Sequence, residues 1–110
     1  MVNLSTLLVQ ALWLAAQVTA IRIQYVARHE GFPGRTSKLA GELDDDVGQR
    51  IIDEIGQWSG GRYEAAENRH GGMMTVRPAG NGVAASKAEA TGLIEDMQRV
   101  VNGNIGGRGK

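Results

Sequence analysis

The feature of this 110-residue sequence that most constrains its fold is an uncharged, apolar start, with no charged residue from Met1 to Ile21. Leucine and alanine dominate this stretch, and both favour a helix over a strand. Four amide side chains recur at intervals of seven, which would align them in one stripe along a helix. They are Asn3, Gln10, Gln17 and Gln24. We therefore predict one long helix over residues 1–30, apolar around most of its circumference and enclosed by other protein.

A helix over residues 4–28 would be about 37 Å long, as wide as a compact domain of this size. The remaining predicted helices are too short and too rich in glycine to cover it, so we expect a partner surface from a second copy or another protein. The predicted interface consists of apolar side chains. They are Leu4, Leu8, Leu12, Trp13, Ala16, Ile23 and Trp58.

A second amphipathic pattern predicts an acidic helix over residues 36–58. Its apolar residues recur every three to four positions, and they are Leu39, Leu43, Val47, Ile51, Ile55 and Trp58. Gly41, Gly48 and Gly56 would each weaken this helix by about 1 kcal/mol relative to alanine. That cost makes sense where another part of the backbone packs closely against a glycine; fraying of the helix is the equal alternative.

The second half of the chain predicts a β-hairpin over residues 62–78 and a C-terminal helix over residues 84–102. Ser86 with Glu89 three positions later fits a capping box at the start of that helix. Residues 103–110 form a flexible tail. The predicted fold is a single, mainly helical α+β domain, with the long first helix, two amphipathic helices and one small hairpin.

The apolar start leaves two other interpretations open. Residues 4–21 are just long enough to span a membrane, although the amides of Asn3, Gln10 and Gln17 would then need partners in lipid. Val18-Thr19-Ala20 resembles a signal-peptide cleavage site, but no positive charge precedes the apolar run. We therefore prefer a soluble protein, in the cytoplasm or within a viral particle, with a membrane location as the alternative.

No pattern in the sequence predicts catalysis, a metal site or a bound cofactor. The chain has no cysteine and no serine in a nucleophile-elbow motif. Residues 80–85 match the GxGxxA pattern that can bring a pyrophosphate to a helix N-terminus. Only one such unit occurs, and Pro78 interrupts the strand before it, so we interpret the motif as a glycine turn leading into a helix.

Nucleic-acid binding is disfavoured by a formal net charge of zero and by the scarcity of aromatic residues, which make up 5% of the chain. Arg62, Arg69 and Arg77 on the predicted hairpin could still contact phosphates or an acidic partner. The alternative is ordinary surface charge balanced by neighbouring glutamates, which we prefer. No small-molecule substrate is evident.

These observations predict a non-enzymatic structural or interaction subunit of a homo- or hetero-oligomeric assembly. A viral particle would be one setting, with the protein as a neck, tail or capsid-associated component. Two alternatives belong to other classes: a single-pass membrane protein anchored by residues 4–21, and a small regulator that binds protein or nucleic acid through residues 62–77.

Overall fold

The computed structural model describes residues 20–68 and 71–106, and it shows an α+β fold with a four-stranded mixed sheet and two helices. In chain order the elements are β1 (Ala20–Arg28), β2 (Arg35–Asp44), α1 (Asp45–Trp58), β3 (Tyr63–Asn68), β4 (Met73–Pro78) and α2 (Lys87–Ile105).

The prediction of a mainly helical fold with a long first helix is wrong, because β1 occupies residues 20–28. Burial in β1 alternates: Ile21, Ile23 and Tyr25 are buried, whereas the residues between them are more exposed. A period of two is the pattern of a strand with one face on a core. Isoleucine and tyrosine also favour strands, so the chemistry changes at Ala20 from leucine and alanine to β-forming residues. Residues 1–19 lie outside the described part of the chain.

The predicted helix over residues 36–58 is divided into a strand and a shorter helix. Its first part is β2, and α1 begins only at Asp45. Within α1 the predicted periodicity holds, because Ile51 and Ile55 are buried. Gly31 and Gly34, which follow the end of the predicted first helix, form the turn between β1 and β2. Both have positive φ, 92° and 84°, a conformation that glycine adopts without a steric cost.

The sheet has the order β2-β1-β4-β3, with β1 and β4 in the centre. β1 is antiparallel to β2 and parallel to β4, and β3 and β4 form an antiparallel hairpin within the range 62–78. α1 links β2 at one edge of the sheet to β3 at the other. This connection makes the β1–β4 pairing parallel.

Both helices cover the same side of the sheet and enclose one core. It includes Tyr25 of β1, Ile51 of α1, Met74 of β4 and Met97 of α2, each no more than 2% exposed. Near the start of α2 the serine half of the predicted capping box is present: the Ser86 hydroxyl accepts a hydrogen bond from the Glu89 backbone N–H at 3.1 Å, whereas the Glu89 carboxylate accepts from the Ala85 N–H instead of that of Ser86. In the described residues no helix is long and apolar enough to cross a membrane, and most of the membrane segment considered from the sequence, 4–21, lies outside them.

Candidate interaction surface

The side of the sheet opposite α1 and α2, which we call the open face, is covered by neither helix. In β1 the residues on this side are those that alternate with the buried ones. They are Ala20, Arg22, Gln24, Val26 and Arg28. Antiparallel sheets commonly leave one polar face in water, so exposure alone does not define a site. The arrangement of charge on this face is more informative.

Part of the open face is a groove of about 670 Å³. The central strands form its floor, through Gln24, Val26 and Thr75, and the loop after β4, residues 80–82, lines one end. This loop is held in place by backbone hydrogen bonds, because the Ala84 N–H donates to the Arg28 carbonyl at 2.9 Å. The groove is therefore bounded by ordered elements of the fold.

Among the described residues that line this groove, three are arginines and two are glutamates, and the arginines are not equally compensated. Arg77 donates a hydrogen bond of 2.7 Å to Glu64 on the neighbouring strand. Arg28 and Arg35 are Cα partners across β1 and β2, so their side chains share the open face. Within the described residues neither guanidinium has an ion pair or a side-chain hydrogen bond. Like charges directly opposite each other are unfavourable in a sheet, so this pair is suited to an anionic partner.

The GxGxxA segment does not provide a phosphate cradle at the start of α2. The Glu89 carboxylate already accepts a hydrogen bond of 2.8 Å from the Ala85 backbone N–H. The Ser86 hydroxyl occupies the Glu89 N–H. Two backbone donors at this helix start are thus satisfied by the protein's own side chains, in agreement with a glycine turn that leads into a helix.

The outer strand β2 carries further exposed and unpaired groups. Leu39, at the middle of the strand, is 62% exposed, and Phe32 at the tip of the β1–β2 turn is 99% exposed. Asp44 occupies the N-cap position of α1, yet its carboxylate makes no capping hydrogen bond. Asp44 also has no ion pair within the described part of the chain. β2 therefore combines an exposed apolar centre with a free carboxylate at one end.

The predicted interface residues occupy different places. Ile23 is 3% exposed and belongs to the protein's own core. Trp58 is partly buried against the core at the end of α1, with the Arg50 guanidinium 5.2 Å from its ring centroid. The other five lie outside the described residues, and they are Leu4, Leu8, Leu12, Trp13 and Ala16.

The arginines of the predicted hairpin patch are not brought together. Arg62 lies immediately before β3 and donates a hydrogen bond of 2.6 Å to Asp96 of α2. Arg77 lies on the open face and is paired with Glu64. Arg69 lies outside the described residues. Each arginine of this patch that the structure describes is therefore neutralised by a carboxylate within the fold.

Asp96 is the centre of a network that joins β3 to α2. Its carboxylate accepts hydrogen bonds from the Tyr63 hydroxyl at 2.5 Å, from Arg62 at 2.6 Å and from Arg99 at 3.0 Å. Burial raises the pKa of Tyr63 to about 12, and the hydrogen bond to Asp96 adds to this rise. The same hydrogen bond holds the pKa of Asp96 below its usual value, with further help from Arg62. The network fastens α2 to the sheet on the covered side.

His29 is a buried polar residue that falls near the end of the predicted first helix, residues 1–30. It follows β1 and is 4% exposed. One ring nitrogen, Nε2, lies 3.0 Å from the Thr36 hydroxyl, and Nδ1 lies 2.9 Å from the Glu30 carbonyl oxygen. Both ring nitrogens are thus engaged by residues of the β1–β2 turn and of β2, which gives His29 a structural role at this end of the hairpin. The alternation of apolar and polar residues in β1 was the sequence signal that could have placed His29 after a strand instead of in a helix.

No group of three or more histidine, cysteine, aspartate or glutamate side chains suited to a metal ion is present in residues 20–68 and 71–106. Comparisons with protein-family models, with curated proteins and with solved structures find no match to this chain.

Proposed function

We propose that this protein is a non-enzymatic subunit of an oligomeric assembly, and that it joins the assembly through the β2 side of its sheet. The observation that carries the proposal is the combination on one strand and its turn of exposed apolar side chains, Phe32 and Leu39, with the unpaired charges of Arg35 and Asp44. Interfaces between proteins typically combine an apolar centre with charges that find partners across the contact.

The sequence before β1 supports the same proposal. It carries no charge and supplies the apolar residues that the sequence analysis assigned to an interface, such as Leu8 and Leu12. An apolar sequence of this kind gains free energy when it is buried away from water, and association with another protein is one way to bury it. A regulator that binds nucleic acid through residues 62–77 receives less support, since Arg62 and Arg77 are each engaged by a carboxylate.

The proposal is tested by measuring the molar mass of the full-length chain with multi-angle light scattering at micromolar concentrations in mild buffer. A self-assembling subunit gives a mass of at least twice the 11.7 kDa of one chain. A monomer throughout this range contradicts self-assembly. A steep loss of nucleic-acid retention with salt would instead favour the regulator.

A further inference from the structure

The edge strand β2 is self-complementary in a way that its sequence alone conceals. β1 and β2 are paired over nine residues of β1 and ten of β2, because the register shifts between Arg22 and Gln24. Gln24 is opposite Leu39 and Arg22 is opposite Glu42, so two steps along β1 match three along β2. One extra residue therefore bulges from β2 after Leu39, and the strand fills nine positions of the ladder.

Leu39 is the central one of these nine positions. Because opposite residues of an antiparallel pair share a face, five side chains of β2 lie on the open face. In order they are Arg35, Ser37, Leu39, Glu42 and Asp44. The series starts with a cation, has an exposed leucine in the middle and ends with two carboxylates. When two such strands run antiparallel, the basic end of each strand lies beside the acidic end of the other.

We propose that a second copy of this chain docks on the β2 edge by antiparallel strand addition, about a two-fold axis that passes through Leu39. Arg35 of each copy then lies opposite Asp44 of the other, Ser37 lies opposite Glu42, and the two Leu39 side chains meet at the axis. This inference rests on the proposed function, since it names the partner and the contact surface of the assembly. It produces an isologous, closed interface.

Three observations on β2 support this occupant. No described element pairs with its outer side, so its outward N–H and C=O groups remain available for another strand. Arg35 and Asp44 have no partner among the described side chains. The two-fold pairing forms two ion pairs between these residues, one at each end of the interface. Lys38, the charge that would discourage edge pairing, is turned to the covered side, where its Nζ donates to Gln98 at 3.2 Å.

The bulge in β2 leaves both ends of the strand able to pair with a second copy. Bulges often protect an edge strand, because they bend it and break the ladder. Here the extra residue lies between Leu39 and Glu42, and the side chains on both sides of it return to the same face. The two halves of the strand, residues 35–37 and 42–44, can therefore pair with each other across the axis while the bulges flank Leu39.

A single cysteine tests the axis directly, because the chain has none of its own. Opposite residues in an antiparallel pair have Cα atoms about 4.5–5.5 Å apart, which lies within the range of about 4.4–6.8 Å found in disulfides. Leu39→Cys should therefore give a disulfide-linked dimer under mild oxidation. Val83→Cys is the matched control, since Val83 is also an exposed apolar residue, at 46%, but lies outside β2. Equal cross-linking of the two variants would overturn the proposal.

A charge exchange tests the ends of the interface. Arg35→Asp and Asp44→Arg should each raise the dimer dissociation constant by about tenfold or more, because each turns two attractive pairs into two repulsive ones. The double variant should recover the affinity of the wild type. Glu95→Arg, an equal charge reversal on an exposed position of α2, should have no effect.

The outcomes separate this inference from the proposed function. A wild-type chain that is monomeric at all concentrations contradicts this inference and self-assembly alike, because both require contact between copies of the chain. A wild-type oligomer that is unaffected by the Arg35 and Asp44 variants, with no preferential cross-linking at position 39, contradicts the β2 interface alone.

Discussion

Gly48 of α1 lies directly against β1, and its replacement by alanine tests the packing of the fold. A Cβ atom at this position would lie 2.6 Å from Cγ2 of Ile21. That methyl group is attached to a branched Cβ, so it moves only if the whole χ1 rotamer of Ile21 changes. Gly92 of α2 is the control, because a Cβ there meets nothing within 4 Å.

The two substitutions should have different effects on the free energy of unfolding. Replacing an exposed glycine inside a helix by alanine stabilises a protein by about 1 kcal/mol, which is the expected gain for Gly92→Ala. Gly48→Ala has the same helix-forming gain, but overpacking against Ile21 costs about 1–3 kcal/mol. We expect a net effect between about zero and 2 kcal/mol of destabilisation, so that the two variants differ by about 1–3 kcal/mol.

Equilibrium unfolding in urea, with equal slopes for the two variants, measures this difference. Gly48→Ala combined with Ile21→Ala should cost less than the sum of the single changes, because the smaller side chain removes the clash. If Gly48→Ala stabilised the protein as much as Gly92→Ala, α1 would not pack as closely against Ile21 of β1 as described.

Three further predictions concern the covered side of the sheet. Tyr63→Phe should lower the free energy of unfolding by about 1–2 kcal/mol, measured by urea unfolding at neutral pH, because it removes the hydrogen bond to the Asp96 carboxylate. Since the folded pKa of Asp96 is lowered, its contribution is complete above the ordinary value of 3.8 and is lost as the pH falls through the folded value. Unfolding curves of Asp96→Asn should therefore depend less on pH in the acidic range than those of the wild type. Met97→Ala, at a position with no exposure, should cost about 2–5 kcal/mol in thermal or urea unfolding, and a smaller loss would mean that the core is less tightly packed there.

The C-terminal half of the fold could be predicted because its signals are local. Ser86 and Glu89 mark the start of a helix through their spacing, and the structure shows both hydrogen-bonded at that helix start. The strand residues of the hairpin are separated by a glycine-rich turn that includes Gly72, with a φ of 58°. Such patterns need no knowledge of the rest of the chain.

The prediction for the N-terminal half is wrong over β1 because no turn signal separates the leucine- and alanine-rich sequence before Ala20 from the β-forming residues after it. The seven-residue spacing of the amides extends to Gln24, inside β1, and suggested that one helix continues. The alternation of Ile21, Ile23 and Tyr25 with polar residues was visible, but only over a short stretch. Leu39 and Leu43 of β2 are four residues apart, which is also a helical spacing. They therefore extended the apolar pattern of α1 into β2 and led to one predicted helix over residues 36–58.

The candidate interface could not have been found from the sequence, because it depends on the strand register. Arg35 and Asp44 become symmetric about Leu39 only when one residue of β2 is assigned to a bulge. Gly41 was the available hint, since an isolated glycine inside a strand often marks a bulge. Without the strand itself, this glycine was interpreted as part of a helix.

Hydrogen exchange of the β2 amides, followed as a function of protein concentration, tests the central claim most directly. If a second copy adds to the β2 edge, outward-facing amides of residues 35–44 exchange more slowly as the molar mass rises, whereas amides of the other edge strand, β3, keep the same rates. If the mass rises while exchange in β2 remains unchanged, the chain associates through another surface, and the account of β2 given above is wrong.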